Sequence, residues 1–125
     1  MRMEGKKKMK AMKIYDRVLF YGAVISEQRF CECFNEAVEA LINNHGREYV
    51  IGDSGHFDGI ERRTDTADVY DEYSGAIVDY ILALTGQADR FNLYERKASD
   101  AYLSVWRRNS KGRAVKPSLR GENHV

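Results

Sequence analysis

FNLYERK (residues 91–97) and AYLSVWR (residues 101–107), joined by Ala98, Ser99 and Asp100, are the stretch on which the fold of this 125-residue chain turns. Two short aromatic-rich runs separated by three small or polar residues read as a terminal β-hairpin. Upstream of it, Val69, Tyr73, Ala76, Ile77, Tyr80, Ile81 and Leu84 step by three and four, which predicts an amphipathic helix opened by Asp65 and closed by Gly86. Gly75 inside that helix costs about 1 kcal/mol against Ala unless something packs closely there. Further back, Arg47–Gly52 and His56–Thr64 read as strands linked through Asp53, Ser54 and Gly55, the second weakened by Gly59. A first helix is expected from the N-cap Ser26 to the stop at Asn43–Gly46, with the stripe Phe30, Cys33, Phe34, Ala37, Val38, Leu41 and Ile42. The run KIYDRVLFY (13–21), β-branched and aromatic, reads as the first strand and ends at Gly22.

Strand, helix, strand, strand, helix, strand is the ferredoxin-like βαββαβ order, here with an extra C-terminal strand. The expected fold class is therefore α+β, a two-layer sandwich in which two amphipathic helices cover one face of an antiparallel sheet. Length predicts one domain, over residues 13–108, flanked by a basic extension at 1–12 and a basic, aperiodic tail at 109–125 that contains the sole proline, Pro117. Met9 and Met12 leave a later start open, so no structural role is expected of 1–12. No apolar run approaches the length of a membrane span, and Asp16 and Arg17 interrupt the stretch that would serve as a signal core. Cys31 and Cys33 lie too close for a loop-closing disulfide, which fits a reduced, cytoplasmic setting and a protein that does not partner a membrane.

A net charge of +1 conceals a segregation. Residues 1–13 and 107–125 each carry net +5, so the body between them carries net −9. Such asymmetry speaks about partners and solubility rather than fold. From Asp53 to Asp79 eight carboxylates face two arginines, and Asp68, Glu72 and Asp79, spaced by four and seven, line up on the helix face opposite the apolar stripe. Either this is a solvated face whose first acids complement the helix dipole, or it competes with nucleic-acid phosphates for a basic groove on another protein. Tyr94, Arg96, Lys97, Tyr102, Trp106, Arg107 and Arg108, continued by Lys111 and Arg113, supply the aromatic and cationic mixture that single-stranded nucleic-acid binders use.

Metal binding is tested by geometry. Cys31 and Cys33, two apart on a helix, point about 200° from each other and cannot chelate together, and His45 and His56 fall at opposite ends of the expected sheet. Cys31, Asp53, His56 and Asp58 would converge at one end, giving a zinc site without the spacing of a Cys pair. No GxSxG, Walker or HExxH motif is present, and no carboxylate pair is set apart, so the chain is expected to be no enzyme and to need no cofactor.

DTADVYDEY (65–73), acidic, tyrosine-containing and in a small chain without catalytic motifs, resembles the general character of anti-CRISPR and related anti-defence proteins of phages and mobile elements. That resemblance implies an inhibitor acting inside a bacterial host cell, with Asp65, Asp68, Asp71 and Glu72 presented to the DNA-binding groove of an RNA-guided nuclease. The expected function is accordingly a non-enzymatic interaction protein that binds a nucleic-acid-handling protein through Asp65, Asp68, Asp71, Glu72 and Asp79. The alternative is a direct RNA or single-stranded DNA binder using Tyr102, Trp106, Arg107, Arg108, Lys111 and Arg113.

Overall fold

A computed structural model describes residues 8–52 and 55–109. In chain order it runs β1 (Met9–Lys10), α1 (Ala11–Phe20), α2 (Glu27–His45), α3 (Arg47–Val50), β2 (Thr66–Ala67), a 3-10 turn at Asp71–Tyr73, α4 (Ser74–Leu84) and α5 (Arg90–Asn109). The fold is mostly helical, 67% of the described residues, with one two-stranded antiparallel pairing, Met9 with Ala67 and Lys10 with Thr66. The expected ferredoxin-like sandwich is thereby overturned, and four of its five expected strands fall in helices.

Residues 13–20 belong to α1 because Ala11, Ile14 and Val18, at steps of three and four, bury together, which no strand face could achieve. Gly22, expected to end a strand, instead follows the end of this helix, and its positive φ of 99° lets the Gly22 N–H reach the Leu19 carbonyl and the Ala23 N–H reach Val18. Met9 and Ala11 are buried in the core, so the folded body begins before residue 13. Helix α2 appears where its pattern predicts: the Ser26 hydroxyl accepts the Arg29 N–H at 3.1 Å, and Phe30, Cys33, Phe34, Ala37, Val38 and Leu41 are buried. Arg47–Gly52 is no strand; its first four residues, Arg47–Val50, form the single turn of α3.

The segment expected as a third strand, His56–Thr64, is irregular and fastened side-on to α2. Asn35 makes the fastening: its Nδ2 donates to the Ile60 carbonyl at 3.0 Å and its Oδ1 accepts the Ile60 N–H at 2.8 Å. One amide thus substitutes for a strand neighbour. Gly59, at φ +103°, runs so close that an added Cβ would sit 3.0 Å from Asn35 Nδ2.

Helix α4 is the axis of the fold. Ala76, Ile77, Val78, Asp79, Ile81, Leu82 and Ala83 are all buried, so it has no outward face, and it packs against α1, α2 and α5. Its first turn is held through the preceding residues: the Tyr70 N–H donates to the Val50 carbonyl and the Tyr73 hydroxyl to the Tyr49 carbonyl, each at 2.9 Å. Residues 91–107, the expected hairpin, lie wholly within α5, where Tyr94, Ala98, Ala101 and Val105 bury at helical spacing against α4. Ala98 and Ala101 are small enough for close approach, while Ser99 and Asp100 face solvent.

Asp79 joins the two helices. Although it is only 1% exposed, its Oδ1 lies 2.8 Å from Arg90 Nη1 and its Oδ2 lies 2.8 Å from Lys97 Nζ, the latter off the hydrogen-bonding direction. Gly75 clears the way for the lysine stem, since a Cβ there would meet Lys97 Cδ at 3.3 Å. Arg90 also donates to Gln87 Oε1 at 2.6 Å and lies 5.1 Å over the Tyr21 ring, tying in the end of α1. Asp79→Asn, which keeps the volume and removes the charge, is expected to destabilise the protein by about 1.5–3 kcal/mol, seen as a lower urea midpoint at unchanged slope. Gly59→Ala is expected to destabilise the protein by at least about 1 kcal/mol, read as a lower urea midpoint, through strained backbone and a displaced Asn35.

Candidate functional site

The carboxylates singled out by the sequence do not form one helix face. Helix α4 starts only at Ser74, so Asp68, Asp71 and Glu72 precede it and Asp79 alone lies on it, turned inward. Asp65 does not cap α4 either; its Oδ2 accepts the N–H groups of Glu61 at 2.9 Å and Arg62 at 3.0 Å. Those two bonds hold its carboxyl below the usual carboxylate range. Asp71 accepts a hydrogen bond from the Ser74 hydroxyl on its backbone carbonyl at 2.8 Å, with Oδ1 at 3.4 Å. Asp68 faces Lys8 Nζ at 3.7 Å, and Glu72 is paired with Arg108. Each of the five carboxylates is thus engaged by the chain's own donors.

These pairings also reveal a convergence that sequence order hides. Lys8 enters β1 beside Asp68, Arg108 leaves α5 beside Glu72, and between them Arg108 lies 4.9 Å over the Tyr70 ring. Residues 68–72 therefore anchor the inner ends of both basic segments at one corner. Arg107 is exposed beside Arg108, and Trp106 is half-buried one residue earlier. Lys111 and Arg113 lie outside the described residues.

Tyr102, expected to be free for stacking, instead packs within the protein. Its ring stacks on His45 at 5.1 Å and 23° and meets Tyr49 edge-on at 5.2 Å. Burial in this cluster pushes the His45 imidazole below its usual range.

The residues of the expected zinc site are dispersed in role. Cys31 is buried at the start of α2, whereas His56 and Asp58 are exposed and pair with each other at 2.9 Å. Asp53 lies outside the described residues. Among the described residues no three His, Cys, Asp or Glu side chains are grouped as metal ligands would be. Burial, reinforced by Glu27 and Asp65, pushes the Cys31 thiol up, away from the reactive thiolate.

Two features were not anticipated from sequence. An open groove of about 770 Å³ runs between the start of α2 and residues 60–64, with Glu27, Cys31, Asn35, Arg62 and Arg63 on its walls. The Glu27 carboxylate crosses it to accept the Arg63 N–H at 2.9 Å. At the end of α1, Phe20 and Val24 stand 83% and 98% exposed, next to Leu19 and Tyr21. Neither carries a local motif, since both arise from where a loop meets a helix.

Among the described residues no helix is long and apolar enough to cross a membrane. No protein family, curated protein or solved structure matches this chain.

Because His45 binds a proton less readily when folded than when unfolded, the unfolded chain holds more protons below about pH 6.5. Stability is present above that range and is lost as pH falls through it. Urea midpoints are expected to drop between about pH 7 and pH 5.5, and a His45→Phe variant should show a flatter profile over the same window.

Proposed function

We propose that this chain binds single-stranded nucleic acid, RNA or DNA, at the corner where its two basic segments approach each other. The observation that carries this reading is the anchoring of Lys8 and Arg108 within residues 68–72. Residues 1–8 and 107–125 together carry net +8, and their inner ends share one locality, so a phosphate chain can meet both. Attraction of this kind grows with the number of phosphates neutralised, through released counterions. The half-buried Trp106 is an aromatic surface of the type that stacks on unpaired bases, two residues before Arg108 and so on another side of α5.

An anti-defence inhibitor docking by its carboxylates has less support. Asp65, Glu72 and Asp79 are engaged by donors within the chain, with Asp79 buried beneath Arg90 and Lys97; Asp68 faces Lys8 at 3.7 Å, and Asp71 alone is exposed with no ion pair among the described residues. A mimic of the phosphate backbone needs carboxylates facing outward and unpaired.

The test is filter binding of the full chain to a 20-nucleotide single strand at two salt concentrations, with no partner protein added. Direct binding that weakens steeply with salt is expected. Arg107→Ala together with Arg108→Ala should reduce the slope of log K against log salt by up to about 1.4, two phosphate contacts at about 0.7 each. Absence of binding at low salt, or a double variant indistinguishable from the parent, would overturn the proposal.

A further inference from the structure

We infer that Asp68 and Glu72 set the affinity of this corner, by holding Lys8 and Arg108 in intramolecular pairs that an incoming phosphate chain must displace. The inference rests on the nucleic-acid reading above and concerns how that site is regulated. The two pairs differ in kind. Lys8, with 65% of its side chain exposed and 3.7 Å from Asp68, is loosely held and screened by solvent. Arg108 is held twice, by the Glu72 carboxylate and by its position over the Tyr70 ring, and both members of its ion pair are partly shielded. Arg107, in contrast, is exposed and has no ion-pair partner among the described residues.

A cation already facing a carboxylate presents little net field to solvent, so the corner is less attractive than its count of lysines and arginines suggests. Engagement becomes an exchange of carboxylate for phosphate, after which the freed carboxylate remains nearby and repels the ligand. A lone phosphate can displace one carboxylate at a time. A strand offers adjacent phosphates and can displace both in one binding event, because the second contact is intramolecular once the first is made. Asp68 and Glu72 therefore favour a polyanionic chain over single anions, at the expense of absolute affinity.

The decisive variant is Asp68→Asn with Glu72→Gln, in the full chain, titrated with a 20-nucleotide oligo-dT at two salt concentrations. Both replacements preserve side-chain volume while removing the charge. Binding is expected to tighten about three- to tenfold at 0.1 M salt. Inorganic phosphate should compete more effectively against the variant than against the parent. If the parent binds and the variant binds equally or more weakly, the carboxylates position the cations instead of masking them, and the inference fails alone. If the parent does not bind, the nucleic-acid reading fails and takes this one with it. Circular dichroism melting confirms that the variant folds; should it not, Glu72→Gln alone carries the same comparison.

Discussion

A carboxylate enclosed by apolar side chains is tolerable only when cations meet it, and in this protein that requirement determines how helices α4 and α5 are arranged. Asp79 sits on α4, Arg90 and Lys97 on α5, and the seven-residue spacing of the two cations places them on one side of that helix, about two turns apart. Their simultaneous reach to one side chain fixes both the rotation and the register of α5 against α4. Apolar packing by Tyr94, Ala98, Ala101 and Val105 supplies area, yet it tolerates small slides; two ion contacts to a single carboxylate do not.

The same node extends outward. Arg90 lies over Tyr21, Gln87 donates to the Tyr21 carbonyl, and the end of α1 is thereby tied to the α4–α5 turn. At the opposite end, Tyr70 and Tyr73 hydrogen-bond to the backbone of α3, bringing residues 68–72 to the last turns of α5. The corner where Lys8 and Arg108 meet their carboxylates is therefore a product of the core arrangement. Acids and bases far apart in sequence become neighbours because α4 is surrounded on every side.

Legibility in the sequence followed the strength of local signals. Helix α2 could be read from Ser26 to Gly46, since cap, stripe and stop agree. The apolar stripe of α4 was also visible, but its amphipathic assignment failed because Val78, Asp79, Leu82 and Ala83 are covered as well. In α5 half of the buried set is alanine, which contributes little hydrophobic signal, while exposed Ser99 and Asp100 imitate a turn. In α1 the β-branched and aromatic composition of 13–21 outweighed the helical spacing of Ala11, Ile14 and Val18. As for the candidate site, Arg107 and Arg108 were visible as charge, whereas Lys8 stood in a segment given no role.

By itself, the sequence determined the two basic segments, the acidic body, the span of α2 and the positions where Gly46 and Gly86 end helices, because each of these depends on residues within a few positions of one another. Only the tertiary structure decided that Asp79 is an internal anchor, that Tyr102 stacks on His45, and that Asp68 and Glu72 are paired. Those outcomes hang on contacts between residues 11 to 60 positions apart, and a carboxylate reads the same in sequence whether its cation lies in solvent or across a helix interface.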